Sequence, residues 1–196
     1  MNPMTQDIPP PQSSPRNPKR WLALVAVMLA FLPVVLDMTI LHVAVPTLTL
    51  DLKASGAEAL WIIDIYPLLM AGLVVPMGAL ADKVGARRIL LTGLVIFGLA
   101  SASAALSTAP LFLIASRALL AVGGAMIMPT VLGLIRKTFE DESERAMALA
   151  FWGTVGAAGA AVGPLIGGAL LAHFWWGSVF LINVPVMLVV APACYV

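Results

Sequence analysis

The chain has 196 residues, of which 61% are hydrophobic and 11% are charged, and its formal net charge is +1. This composition excludes an ordinary soluble domain, and the balanced charge provides no bulk attraction to nucleic acid. A membrane-spanning helix needs about 20 apolar residues, so the roughly 120 apolar residues correspond to about six crossings. We therefore predict an all-α membrane protein with six transmembrane helices.

The first 20 residues differ from the rest of the chain because they contain six prolines among polar side chains. Such a segment buries too little apolar surface to fold, so a disordered cytoplasmic tail is predicted over residues 1–20. Six apolar stretches follow, and we expect one six-helix bundle over residues 21–196. The predicted spans lie near residues 21–47, 58–80, 88–107, 110–135, 146–171 and 178–195.

The basic residues predict an orientation, since Lys and Arg accumulate on the cytoplasmic side of a membrane. With the N-terminus inside, nine of the eleven basic residues face the cytoplasm. Lys53 alone then faces outward, and Arg117 lies within the fourth span. We expect a multi-pass protein of the cell (inner) membrane with a cytoplasmic N-terminus.

Three ionisable residues, Asp37, Asp64 and Arg117, lie inside the predicted spans. Charge within a bilayer is costly and is a functional hypothesis by default. Counting the helical rise places all three roughly 9 to 14 Å below the outer surface, so that they can meet in one layer. The pattern indicates a proton or cation site, in which a carboxylate beside an arginine exchanges a proton when water enters. A structural ion pair is the alternative, and Asp64 could simply be hydrated.

Other polar residues carry weaker indications. His42 follows Asp37 by five residues and could relay protons or only form hydrogen bonds at the interface. His173 precedes Phe and Trp residues that are typical of an interfacial aromatic belt. The single cysteine, Cys194, has no partner set of Cys and His residues, so no metal site is predicted. No nucleophile triad or phosphate-binding loop indicates an enzyme.

Glycine and proline shape the predicted spans. In the fifth span Gly159, Gly163 and Gly167 recur every four residues and share one helix face, where small residues permit close helix packing. Pro164 is expected to bend the helix there. The stripe indicates either a tight contact or a hinge or seal in a moving transporter. Prolines also interrupt other spans and favour a bundle around a polar pathway; these are Pro33, Pro67, Pro76 and Pro129.

Five segments resemble signatures of the major facilitator superfamily, in its branch of fourteen-helix drug:proton antiporters. They are LDMTILHVAVP (36–46), GALADKVGARRIL (78–90), LIASRALLAVGGA (113–125), GAAVGPLIGG (159–168) and FLINVP (180–185). A sixth, WIIDIY (61–66), together with WGSVFLINVP (176–185), narrows the resemblance to exporters of quaternary ammonium compounds, methyl viologen and related cationic biocides.

The resemblance implies a role for each motif. It implies that Asp37 and Arg117 take part in proton coupling, and that an acid in the second span recognises lipophilic cations. The predicted cation-recognition residues are Asp64, Trp61 and Tyr66, although Trp61, Tyr66 and Met70 could equally be interface anchors. The residues implied for a cytoplasmic gating loop are Gly78, Asp82, Gly85, Arg87 and Arg88. Those implied for an antiporter helix that limits leakage are Gly159, Gly163, Pro164, Gly167 and Gly168.

Superfamily members have at least two six-helix bundles with the pathway between them, whereas this chain has six spans and reaches Val196 inside an apolar run. We therefore expect an N-terminal half that needs a C-terminal bundle, or a homodimer, to export cations. The expected partners are lipids, lipophilic cations and protons, with the proton gradient in place of any cofactor. Alternatives are a truncated, non-transporting membrane half or assembly module, and an uptake porter of the same superfamily.

Overall fold

The structure is a computed structural model that describes residues 19–195, with the side chains of residues 20–192. Within this range the chain is helical and contains no strand, which confirms the predicted all-α fold. Most of the predicted tail, like the side chain of Cys194, lies outside the described part. The helices are α1 (Lys19–Asp51), α2 (Gly56–Val84), α3 (Ala86–Ala105), α4 (Pro110–Thr138), α5 (Glu142–His173), α6 (Ser178–Leu181) and α7 (Asn183–Tyr195).

Among the described helices, α1 to α5 are long and apolar enough to cross a membrane. They extend beyond several of the predicted spans. For example, α2 ends at Val84 and not near residue 80, and α5 begins at Glu142 and not near residue 146. The added turns contain charged residues, because an apolar run marks only the part of a helix within hydrocarbon. The predicted sixth span is divided at Ile182 into α6 and α7.

Side-chain caps begin two helices in the links between predicted spans. The Ser55 hydroxyl accepts a hydrogen bond from the Glu58 amide, and the Glu58 carboxylate accepts one of 2.8 Å from the Ser55 amide. At the start of α5, the Asp141 carboxylate accepts a hydrogen bond of 2.9 Å from the Glu144 amide. These caps satisfy amides that have no partner within their own helix.

The prolines do not break the helices, and this corrects the expectation from sequence. Each of α1, α2, α4 and α5 continues through its internal prolines, for example through Pro33 in α1 and Pro129 in α4. A proline removes one amide donor but leaves the rest of the hydrogen-bond ladder in place. In a membrane, neighbouring helices make such sites tolerable.

The packing places α1 and α4 at the centre of the bundle. In an apolar stretch of 18 residues, 61% of the residues are buried in α1 and 56% in α4. The corresponding fraction is 17% in both α2 and α5. α2 packs on α4, and α5 packs on α1. α3 also packs on α4, and α7 packs on both α3 and α1. Gly93 and Gly123 let α3 and α4 meet at backbone distance, since a β-carbon on Gly123 would lie 2.8 Å from the Phe97 nitrogen.

Polar contacts tie the helices together at both ends of the bundle. Arg20 of α1 forms an ion pair of 3.4 Å with Glu144 of α5, and we call this the Arg20 end. At the opposite, Asp51 end, Trp176 Nε1 donates a hydrogen bond of 2.6 Å to Asp51 Oδ2. Successive long helices run in opposite directions, so the α2–α3 and α4–α5 links lie at the Arg20 end. The basic residues of these links therefore lie at that end.

Candidate functional site

A buried ion pair between α1 and α4 forms the centre of the candidate site. Arg117 Nη1 donates a hydrogen bond of 3.3 Å to Asp37 Oδ2, and the two side chains are 1% and 2% exposed. The residues are 80 positions apart in sequence, so the fold alone brings them together. The structure thus joins the two residues that the resemblance assigns to proton coupling.

Aromatic rings from two further helices surround the guanidinium of Arg117. Its central carbon lies 5.2 Å from the centre of the Tyr66 ring on α2 and 6.0 Å from that of the Phe180 ring on α6. Both rings are buried. An arginine over an aromatic face is attracted by the ring quadrupole, and this attraction strengthens away from water. Four helices therefore contribute to a single charged site.

Two polar atoms in this site have no hydrogen-bond partner among the described residues, the Tyr66 hydroxyl and Arg117 Nε. Both are buried from solvent. Gly124 on α4 makes room for Tyr66, because a β-carbon there would lie 2.9 Å from the tyrosine oxygen and 3.0 Å from Met70 Sδ. The site thus has hydrogen-bonding capacity that the ion pair leaves unused.

The cation-recognition residues predicted from the sequence do not form one cluster. Tyr66 is fully buried, whereas Trp61 is 52% exposed and Asp64 is also exposed. Asp64 and Trp61 line a groove of about 560 Å³ together with Leu60, Pro67 and Leu68. Asp64 forms no hydrogen bond or ion pair within the described part of the chain. The expected layer of three charges therefore contains the Asp37–Arg117 pair, with Asp64 on a separate, exposed face.

The two histidines also lie on the surface. His42 is exposed on α1 and, among the described side chains, has no hydrogen-bond partner. His173 Nδ1 donates a hydrogen bond of 3.0 Å to the Ala169 carbonyl of its own helix. Among the described residues, neither histidine forms a hydrogen bond with the ion pair.

The predicted gating loop is mostly helix, which corrects the sequence interpretation. Only Gly85 separates α2 from α3. Its φ of +110° turns the chain in one residue, a conformation that glycine adopts without steric cost. Asp82 consequently lies in the last turn of α2, and Arg87 and Arg88 lie in the first turn of α3. Gly78 lies a further turn back in α2, where a β-carbon would meet Pro129 at 3.4 Å.

The glycine stripe of α5 faces α1 beside Asp37. A β-carbon on Gly163 would overlap the Thr39 hydroxyl oxygen, and one on Gly159 would lie 3.2 Å from Val35 Cγ1. Gly167 similarly faces Ile40. By contrast, Gly168 has open space around its Cα, and Pro164 is exposed. The stripe therefore makes the tight α1–α5 contact that was one of the two interpretations of the sequence.

No role in the site was predicted from the sequence for Phe180 or Asp51. Trp176 was interpreted as part of an exposed aromatic belt, yet it is 5% exposed, whereas its neighbour Trp175 is 52% exposed. Its ring packs edge-on against Phe180, with 6.4 Å between ring centres. In the sequence, Phe180 was marked only by its position inside the FLINVP motif, and Asp51 was not marked.

Comparison with known proteins identifies a family and similar sequences. The sequence profile described as Major Facilitator Superfamily matches residues 27–196. The methyl viologen resistance protein SmvA of Salmonella typhimurium is 59% identical over 172 residues, which are 88% of this chain and 35% of SmvA. The multidrug efflux pump LfrA of Mycolicibacterium smegmatis is 46% identical over 177 residues, covering 90% of this chain and 35% of LfrA. The chain thus spans about a third of the length of these relatives.

A solved structure shares the fold. The crystal structure of a bacterial homologue of the human lysosomal transporter Spinster, in an inward-facing and occupied conformation, matches with a TM-score of 0.80. The match covers 91% of this chain and 44% of that one, at 20% sequence identity. At this identity the likeness concerns the fold alone.

Proposed function

Because the chain belongs to the Major Facilitator Superfamily, we propose that it forms the N-terminal half of a drug:proton antiporter that exports lipophilic cations. The names of SmvA and LfrA, which refer to methyl viologen resistance and multidrug efflux, support this substrate class. The transporter lies in the cell (inner) membrane with a cytoplasmic N-terminus, so the Arg20 end faces the cytoplasm. The proton gradient drives export without a cofactor.

The observation that carries the proposal is the ion pair between Asp37 and Arg117 at the centre of an apolar bundle. Separating either charge from its partner inside a membrane costs about 3 kcal/mol or more. Arg117 stays protonated under all physiological conditions. Asp37 is therefore the member of the pair that binds and releases the coupling proton.

Cation recognition is assigned to the exposed face of α2. The Asp64 carboxylate and the Trp61 ring line the same groove. A carboxylate in a cavity of low dielectric attracts a lipophilic cation, and an indole face adds cation–π attraction. This face closes into a cavity when a second bundle covers it. The largely exposed sides of α2 and α5 provide the surface for that bundle, which is either the C-terminal half or a second copy.

Coupling then follows from competition between two cations. Protonation of Asp37 removes the negative charge opposite Arg117, and the freed positive charge disfavours a bound cation in the same bundle. Release of the drug outward and of the proton inward restores the ion pair. The two bundles rock around the site between these states, as in other transporters built from repeats.

Transport in inside-out membrane vesicles tests the proposal. Cells express the protein from its complete reading frame, and the measured quantity is accumulation of a fluorescent lipophilic cation after the vesicle interior is acidified. We expect accumulation that a protonophore abolishes and that Asp37→Asn eliminates. Glu140→Gln, which changes an exposed acid in the α4–α5 link, is the matched control and should transport normally.

The same assay separates the alternatives. Accumulation in right-side-out vesicles, driven by the inward proton gradient, would instead identify an uptake porter. If neither vesicle type accumulates the cation although the protein is inserted, the non-transporting membrane half is the correct description. Unchanged export by Asp37→Asn would remove Asp37 from the coupling mechanism.

A further inference from the structure

The Tyr66 side chain faces away from the proposed cation surface. It follows Asp64 by two residues on the same helix, a rotation of about 200° around the axis. Accordingly Asp64 is exposed and Tyr66 is fully buried between α2 and α4. A substrate in the groove at Asp64 and Trp61 therefore does not reach the tyrosine ring.

Tyr66 contacts the ion pair through Arg117. Its ring lies 5.2 Å from the guanidinium carbon of Arg117. The charged groups that act on it are Asp37 from α1 and Arg117 from α4. Gly124 of α4 lies beside the hydroxyl. Phe180 of α6, which carries no charge, lies 6.0 Å from the same guanidinium carbon.

The hydroxyl of Tyr66 and Nε of Arg117 lack partners among the described residues. Buried polar groups are nearly always hydrogen-bonded, so each exception requires an explanation. Arginine has five donors and no acceptor, and in this state it uses Nη1 for Asp37. The phenolic oxygen of Tyr66 is an unused acceptor on a ring whose centre lies 5.2 Å from the guanidinium carbon.

We propose that Tyr66 is a positioning residue of the Asp37–Arg117 pair and not a substrate contact. Its ring holds the guanidinium while Asp37 is ionised. When Asp37 becomes protonated, Arg117 keeps its charge and loses its counter-ion, and the Tyr66 oxygen then accepts a hydrogen bond from the guanidinium. The tyrosine thereby stabilises the protonated state of the site. This inference rests on the proposed role of Asp37 in proton coupling.

The test compares Tyr66→Phe with the wild-type protein, both expressed from the complete reading frame, in the vesicle assay. Phenylalanine keeps the ring and removes only the acceptor. The rate of proton-driven cation transport is measured against pH, and KM for the cation is measured at the optimum. We expect the midpoint of the pH profile to move to lower pH by about one unit, because one hydrogen bond to a charged group is lost. KM should stay within about twofold, as expected for a residue that does not bind substrate.

Controls separate the possible failures. Phe112→Leu alters an exposed aromatic residue on α4 and should leave both the profile and KM unchanged. Tyr66→Leu removes ring and hydroxyl together and should reduce the maximal rate further than Tyr66→Phe. An unshifted profile for Tyr66→Phe, or a rise in its KM beyond twofold, overturns the inference. If the wild-type protein transports the cation without any response to pH, the proposed function itself fails, and with it the premise.

Discussion

Gly163 on α5 lies against Thr39 on α1 so closely that a β-carbon at residue 163 would overlap the threonine hydroxyl oxygen. Thr39 is two residues from Asp37, and its hydroxyl donates a hydrogen bond of 3.2 Å to the Leu36 carbonyl. The glycine stripe therefore packs directly against the segment of α1 that carries the buried carboxylate. Close backbone approach of this kind is how small residues hold membrane helices together.

We predict that Gly163→Ala lowers the free energy of unfolding by about 1–3 kcal/mol, because the added methyl group must displace α5 or Thr39. The matched control is Gly168→Ala on the same helix, where the new methyl group meets no neighbouring atom within 4 Å. Melting of the purified protein in detergent measures both. Thr39→Ala should partly restore the stability of Gly163→Ala. Equal melting temperatures for the two glycine variants would contradict the contact.

The hydrogen bond between Trp176 and Asp51 gives a second prediction. Trp176→Phe keeps an aromatic ring but loses the donor, and should cost about 1 kcal/mol, because the exposed Asp51 regains water as a partner. Trp175→Phe is the matched control, since that neighbouring ring is largely exposed. We expect a lower melting temperature for the Trp176 variant alone. The link would be refuted by identical melting of both variants.

Gly85 provides a third prediction, through its backbone conformation. Alanine at a φ of +110° is strained, and we expect a loss of about 1–3 kcal/mol in the free energy of unfolding. Gly133→Ala is the control, because Gly133 is inside α4 with open space around it and alanine favours a helix there. Thermal melting should shift down for Gly85→Ala and stay level or rise for Gly133→Ala. A Gly85→Ala protein as stable as wild type would show that the link is not a one-residue turn.

The exposed carboxylate of Asp64 gives a fourth prediction, for cation binding. Asp64→Asn should raise KM about tenfold for a monovalent lipophilic cation and more for a divalent one, since the lost attraction scales with substrate charge. Initial rates of transport with one cation of each charge measure this, and Glu140→Gln again serves as the control. Equal increases in KM for both cations would contradict the prediction, because they would indicate that the substitution changes the shape of the groove and not its attraction for charge.

Much of the fold could be predicted because hydropathy is a local property. The apolar runs marked the position of each helix, and Ser55 and Asp141 stand where the caps form. The helix ends and the turn at Gly85 were harder to predict from the sequence. Charged residues such as Asp82 and Arg87 interrupt the apolar pattern and so indicate a loop. In the structure they extend α2 and α3 to a single glycine.

The candidate site was predictable only in part. Asp37 and Arg117 could be paired from the sequence because two opposite charges at similar depth in a membrane must find a partner. Tyr66 was grouped with Trp61 and Asp64 for cation recognition because the three are close in sequence. That grouping neglected the rotation along the helix, which places Tyr66 on another face of α2. The difference between Trp175 and Trp176 depends on the path of the α5–α6 link, which no local pattern specifies.

The central claim is that a proton and a lipophilic cation compete through Asp37. Its most direct test reconstitutes the protein from its complete reading frame into liposomes, with no applied gradient and a pH-sensitive dye outside. Adding a lipophilic cation to the outside should acidify the medium as cation enters and protons leave. Asp37→Asn should abolish this signal, while Glu140→Gln should preserve it. Cation entry without proton release, or an undiminished signal from Asp37→Asn, would contradict the account.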